Sequence, residues 1–347
     1  MSRLFRRTAP TGTVLYDAPG PRARITTWIV SVVVLVAIVA ALYYLVYLPL
    51  DEKGQFAGTL WGPMLDPSHT KCRGVPGNCF DQVWQRIGAG LQATLIAAAL
   101  AIVSSLVIGT LLAILRLQLQ AMRQRRYVGF APPVAVAFRT LTWILNAVTR
   151  FCVEIFRGMP VVVTIFFVAR GLPEFGLDFD TLWFLVIGLT IYNGVVIGEI
   201  LRSGMTGLAS GQREAAVAIG LSPFQTTTLI LLPQAYRIML PALISQVVVV
   251  LKDTSLGFLI GYQDTLTIAR QIINVLNNSF QLYIVIGVIF IIVNYALSKL
   301  AQYVQRRLAR APRTAGLPPV AAPAASLFAQ DTLGTATPAA DPHPTSA

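Results

Sequence analysis

Gly211-Gln212-Arg213-Glu214-Ala215-Ala216-Val217-Ala218-Ile219-Gly220, continuing through Leu221-Ser222-Pro223 to Ile230-Leu231-Leu232-Pro233, lies between two long apolar runs. From Gln212 to Ile219 the composition favours helix, with Ala215, Ala216 and Ala218 among the strongest formers. Gly220 is placed to stop that helix, as a glycine does just past a helix end. Ser222 and Pro223 read as the cap and first residue of the next helix. Pro233 and Pro241 flank the start of the apolar run that follows. The stretch is a short helix, a sharp bend and a second helix: a knob that a partner's groove can hold and push.

The rest of the chain sets this knob in a membrane. Of 347 residues, 55% are hydrophobic and only 12% charged, against roughly 25% charged in soluble domains. Six apolar stretches are long enough to cross ~30 Å of hydrocarbon: Trp28 to Leu48, Leu91 to Leu115, Leu141 to Val168 (interrupted by charges), Leu182 to Ile200, Ile238 to Ile260 and Leu282 to Leu300. The first is no cleavable signal: its apolar run is too long and no small-residue cleavage site follows. No internal repeat divides the later spans. The net charge of +12 does not point to nucleic acid, because the basic residues flank apolar spans and form no compact basic domain.

Those basic residues set orientation. Arg3, Arg6, Arg7, Arg22 and Arg24 precede the first span; Arg116, Arg123, Arg125, Arg126 and Arg139 follow the second; Arg306, Arg307, Arg310 and Arg313 follow the last. The alternate loops are poorer in charge. Both termini and Glu214 are therefore expected on the cytoplasmic side of the cell membrane. Residues 1–27 form a cytoplasmic segment, 28–48 an extra span, 49–86 an external loop, and 87–303 the permeation core, with the knob in 203–233. The Pro-, Ala- and Thr-rich tail, 304–347, has little to bury and is expected to be disordered. The extra span and the loop from Asp51 to Asp81 read as an addition dispensable to the core.

The pattern EAA-x3-G-x9-I-x-L-P over Glu214 to Pro233 resembles the cytoplasmic coupling loop of the membrane subunits of ABC importers. Gly211-Gln212-Arg213-Glu214-Ala215-Ala216, Phe156-Arg157-Gly158-Met159-Pro160, Glu199-Ile200-Leu201-Arg202-Ser203-Gly204 and Leu251-Lys252-Asp253-Thr254-Ser255-Leu256 are similar to the polar amino acid permeases, the histidine/glutamine/glutamate uptake group. The extra first span is similar to permeases of actinobacterial glutamate importers. This resemblance implies an all-α integral membrane protein of six transmembrane helices, the N-terminal extra span plus a five-helix type I importer core. It implies two permease subunits, equal or different, two separate ATPase subunits and an extracytoplasmic amino acid-binding protein, with membrane lipid around them. Coupling to the ATPase then falls to Gly211, Gln212, Glu214, Ala215, Ala216 and Gly220. The chain departs from the family pattern at Met159, where threonine is common, and at Val195-Val196, where an Ala-Tyr pair is common, so the resemblance does not fix the solute.

Other polar residues carry two readings each. Arg150, Glu154 and Arg157 fall at i, i+4, i+7 on one helical stripe where opposite charges pair, with Pro160 just beyond to kink the span. They form either an interfacial ion-pair cluster or a gating hinge, as do Glu199 and Arg202 at i, i+3. Lys252 and Asp253 interrupt the fifth span, either lining the substrate path or pairing to hold helices. Asn193 and Gln246 read as interhelical hydrogen-bond glue or as substrate contacts. Cys72 and Cys79 share one loop and form either a disulfide, if the loop is external, or two free thiols.

Enzymatic chemistry has no support. None of the four lysines follows a glycine, so no P-loop exists, and neither a nucleophile elbow nor HExxH occurs. No metal site or cofactor is expected: His69 and His343 are far apart and no CxxC is present. The remaining alternatives are an ion-coupled secondary transporter or channel, which leaves the coupling loop unexplained, and a membrane signalling or scaffold subunit.

Overall fold

A computed structural model describes residues 20–68, 77–124 and 132–309. Every regular element among them is helical. In chain order these are α1 (Pro21–Leu42), α2 (Leu48–Glu52), α3 (Gly58–Leu65), α4 (Cys79–Gln124), α5 (Pro132–Gly158), α6 (Val161–Glu174), α7 (Thr181–Thr206), α8 (Ser210–Ala218), α9 (Pro223–Gln225), α10 (Leu232–Asp253), α11 (Thr265–Leu276) and α12 (Ser279–Ala309). A 3-10 stretch, Thr254–Ile260, extends α10. Among the described residues, Arg22–Glu52, Cys79–Arg123, Thr181–Thr206, Pro223–Ile260 and Ser279–Arg307 are each long and apolar enough to cross a membrane.

The third expected span is a broken one. α5 and α6 meet at 110°, and together they make a sixth crossing if counted as one span. Pro160, extended at φ −61°, ψ 140°, caps α6. It lacks an N–H and its ring excludes the preceding turn, so the helix stops rather than kinks. π-helical turns Tyr43–Tyr47 and Thr226–Leu231 each end two residues before a proline, Pro49 and Pro233. In each the ladder widens locally to i→i+5: Leu48 N–H reaches the Tyr43 carbonyl and Leu232 N–H the Thr227 carbonyl.

α7 is the central element and packs against α4, α5, α6 and α10. Its crossing with α4 is close because glycines face each other. A Cβ on Gly109 would lie 2.8 Å from the Gly194 carbonyl oxygen, and one on Gly198 would lie 3.1 Å from that of Gly109. Without a hydrophobic drive between helices in lipid, such backbone proximity is what packing depends on. Ala113, Leu117, Ile197, Leu201, Leu231 and Ala235 form the core at the α8 end of this bundle.

The described part of the segment between the first two spans packs onto the core, contrary to the expectation that it is dispensable to it. Met64 of α3 is 1% exposed and packs with Cys79, Val83, Ile87, Ile272 and Leu282. The Gln281 amide donates to the Gln55 carbonyl at 2.5 Å, and the Trp84 indole N–H to the Met64 carbonyl at 3.1 Å. α1, by contrast, has no buried residue in its apolar window. The tail expected over 304–347 starts later than expected, because α12 continues as helix through Ala309; the residues beyond it lie outside the described ones.

Candidate functional site

α8 is short and held at two points. Ala216 is 1% exposed, and α8 packs against the π-helical turn Thr226–Leu231. The Arg213 guanidinium donates to the Met205 carbonyl at 3.2 Å. Gly220 N–H donates to the Val217 carbonyl and Leu221 N–H to the Ala216 carbonyl, both at 3.0 Å, the paired bonds of a Schellman motif. Gly220 sits at φ +82°, and a Cβ there would meet nothing within 4 Å. Glycine is thus required for conformation and not for space. Ser222 Oγ accepts from Gln225 N–H at 3.2 Å while Gln225 Oε1 accepts from Ser222 N–H at 2.9 Å, a reciprocal capping box. Gln118 of α4 donates to the Pro223 carbonyl at 3.3 Å and to Thr227 Oγ1 at 2.9 Å. On this frame Gly211, Gln212, Glu214 and Ala215 are exposed, and Val217 and Ile219 are 70% and 74% exposed. Large apolar side chains held outward beside a carboxylate mark a surface for a partner.

Beside this turn, Glu199 gathers three arginines from three helices. Its carboxylate pairs with Arg116 of α4, with Arg157 of α5 at 3.7 Å, and with Arg202 one turn along α7 at 3.1 Å. The Arg202 contact is a fork, Nε lying 3.1 and 3.3 Å from the two oxygens. This corrects the expected stripe. Among the described residues no ion pair joins Arg150 or Arg157 to Glu154. The Glu199 and Arg116 side chains are each 14% exposed, so their attraction is less screened than that of the exposed Glu154. Arg157 therefore turns to Glu199. Arg150 and Glu154 line a 370 Å³ cavity with the cluster, and Pro160 sets the break just beyond it.

Deeper in the bundle, the Gln246 amide donates to Asn193 Oδ1 at 2.7 Å and the Asn193 amide to the Leu189 carbonyl at 3.0 Å. Asn193 is fully buried. Lys252 points elsewhere, into a 500 Å³ groove lined by Ser255 and by Phe290, Ile291 and Asn294 of α12. No ion pair joins Lys252 to Asp253 among the described residues, which goes against the second of their two readings, pairing with each other. Successive residues on a helix diverge by about 100°, and here that sends the two charges in different directions.

A family profile described as "Binding-protein-dependent transport system inner membrane component" matches residues 131–310. The chain belongs to this family. The glutamate transport system permease protein GluD of Corynebacterium glutamicum is 35% identical over 263 residues, covering 75% of this chain and 83% of that one. The probable glutamine ABC transporter permease protein GlnP of Bacillus subtilis is 35% identical over 168 residues, 47% of this chain and 77% of that one. A crystal structure of an amino acid ABC transporter with histidines superposes with a TM-score of 0.53 at 25% identity, covering 66% of this chain and 96% of that chain. These relatives put the chain among the polar amino acid ABC permeases, and it is a multi-pass membrane component rather than an enzyme.

In this permease, residue reading missed two positions. Arg116 reads in the sequence as a charge following the second span, although it is the Glu199 partner on the neighbouring helix. Gln118, two residues on, looks like any polar residue at a span end, yet it ties the second arm of the turn to α4. Cys79 is fully buried; Cys72 lies outside the described residues.

Proposed function

We propose that this permease forms the translocation path of an ATP-driven importer for polar amino acids, glutamate or a close analogue. Its α8 turn is the coupling helix that seats in a groove on a separate ATPase subunit. The observation that carries this reading is the exposed pair Val217 and Ile219 with Glu214 on a doubly anchored turn. The glutamate assignment draws on the GluD relative. Gly211, Gln212, Ala215 and Ala216 shape the same helix, and Gly220 sets its angle. The termini and α8 face the cytoplasm. A second permease subunit completes the path, and an extracytoplasmic binding protein delivers the solute.

Asn193, Gln246, Lys252 and Asp253 line the path in this reading. Arg150, Glu154, Arg157, Pro160, Glu199 and Arg202 form the hinge at its inner end, and Cys72–Cys79 closes an external disulfide. ATP binding draws the two coupling helices together and favours the outward-open state by differential affinity for the two states. The test joins co-purification with uptake. An ATPase subunit should accompany the wild-type chain. Glu214→Lys and Gly220→Val should each lower glutamate uptake about tenfold while insertion and yield hold, because left-handed backbone costs a β-branched residue about 1–2 kcal/mol. Normal uptake by both variants at normal yield would refute the coupling role.

A further inference from the structure

The 370 Å³ cavity among α4, α5 and α7 is more basic than an ion-pair network needs. Five arginines, Arg116, Arg123, Arg150, Arg157 and Arg202, meet only two carboxylates there, Glu154 and Glu199. Glu199 is already shared by three of the arginines. Arg123 and Arg150 are exposed, line the cavity and enter no ion pair among the described residues. A positive surplus around a polar hollow, with guanidinium forks free to pair, fits a phosphate oxyanion.

The position of the hollow selects the source of that phosphate. Arg150 and Arg157 rise from α5 at seven-residue spacing from Val136 and Trp143, so a flank of the helix that exposes those two apolar side chains leads to the arginines. Such a face belongs in acyl chains, with its tryptophan near the headgroup level. A ligand reaching the arginines along this flank brings hydrocarbon with it. We propose that the cavity is a binding site for the headgroup of an anionic phospholipid, from the leaflet on the α8 side. Basic pockets between transmembrane helices hold such headgroups in this way. The site adjoins the turn: Gln120 lines both this cavity and a 280 Å³ hollow bounded by Arg213, Val217 and Pro223 behind α8. A bound headgroup therefore braces the α4 segment against which the turn rests. The assignment is independent of which solute is carried.

The test uses the full-length chain, purified in detergent, with phosphatidylglycerol, phosphatidylcholine and inorganic phosphate as probes. Phosphatidylglycerol should raise Tm saturably, while phosphatidylcholine and millimolar phosphate should not. Arg123→Gln/Arg150→Gln removes the two free guanidiniums and leaves the Glu199 cluster intact. At about fivefold per basic residue near an anionic surface, it should weaken apparent phosphatidylglycerol affinity about 25-fold. Arg139→Gln, on α5 but outside the cavity, should leave it unchanged. Stabilisation by phosphate alone would transfer the site to a soluble anion and overturn the lipid assignment. Equal stabilisation by phosphatidylcholine, or full affinity in the double variant at wild-type basal Tm, would overturn the site itself. If the double variant does not fold, Arg123→Gln and Arg150→Gln singly should each cost about fivefold, and two unchanged singles would refute the proposal.

Discussion

The two ends of the helix bundle are built by opposite rules. At the end carrying α11, side-chain N–H groups meet carbonyls in the chain: Gln281 on the Gln55 carbonyl, Asn278 on the Leu60 carbonyl and Trp84 on the Met64 carbonyl, over the buried side chains of Met64 and Leu282, while the oxygens Asn278 Oδ1, Gln281 Oε1 and Asp264 Oδ2 are buried without a hydrogen-bond partner. At the end carrying α8, charges are in surplus and large apolar side chains stand in solvent. The first end packs its apolar side chains against its own residues. The second is rigid but incomplete, which is what a part that hands motion to another subunit requires. Substitutions at the α11 end should therefore register as stability, and those at the α8 end as lost transport, with one exception.

That exception is Glu199, which holds the α8 end together. Removing it leaves Arg116, 14% exposed, and Arg202, 29% exposed, without their counter-charge, with the more exposed Arg157 beside them. Breaking a buried pair from one side costs about 3–5 kcal/mol, so Glu199→Ala should lose most of its assembled protein, measured as monodisperse yield and Tm. A variant with wild-type Tm would show that the arginines find water or lipid phosphate without it. At the other end, Met64→Ala opens a cavity beneath the loop and should cost about 2–5 kcal/mol. Uptake per folded molecule should be unchanged. If uptake falls while Tm holds, the α11 end is part of the transport machinery and the contrast between ends fails.

Lys252 lies between the two regimes, exposed in its groove against α12. As a path residue it offers a charge-assisted hydrogen bond of about 1.5–3 kcal/mol, so Lys252→Met should lower uptake by roughly tenfold or more at wild-type Tm. A fall in Tm with normal uptake per folded molecule would instead make it a helix-to-helix contact. Unchanged uptake and Tm would remove it from both roles.

The contrast between ends was only half legible in the sequence. Spans are read from apolar length, and the coupling turn from Gly220, Ser222 and Pro223, because local backbone chemistry fixes both. Pro160 announced an interruption, but its 110° angle depends on where α6 finds packing against α7. The partner of Glu199 on α4 was hidden because α-helical periodicity orders residues within one helix and says nothing of facing helices. The docking of residues 55–64 was hidden for a similar reason. Amide-to-carbonyl bonds such as Gln281 to Gln55 carry no sequence period, so the segment reads as turn residues alone.

The smallest expected effect isolates one charge at the α11 end. Asp264 lies in the turn before α11, outside the spans, and is fully buried. Its Oδ1 accepts from the Thr267 N–H at 2.8 Å and caps the helix, while Oδ2 is buried without a hydrogen-bond partner. Burial pushes the carboxyl above its ordinary 3.8, opposed by the Thr267 hydrogen bonds. A folded-state value above the unfolded one means that the native state binds the proton more tightly. The associated stability is complete below the ordinary value and is lost as pH rises through the folded one. Acidification from neutral should thus raise Tm through this group. Asp264→Asn keeps an equally good cap and carries no charge, so it should match or exceed the wild type at pH 7 and lack this part of the pH slope. Asp264→Ala loses the cap and should cost about 0.5–2 kcal/mol at every pH. Identical Tm slopes for wild type and Asp264→Asn would mean that Asp264 keeps the same proton affinity when folded as when unfolded, and that the α11 end tolerates a buried charge after all.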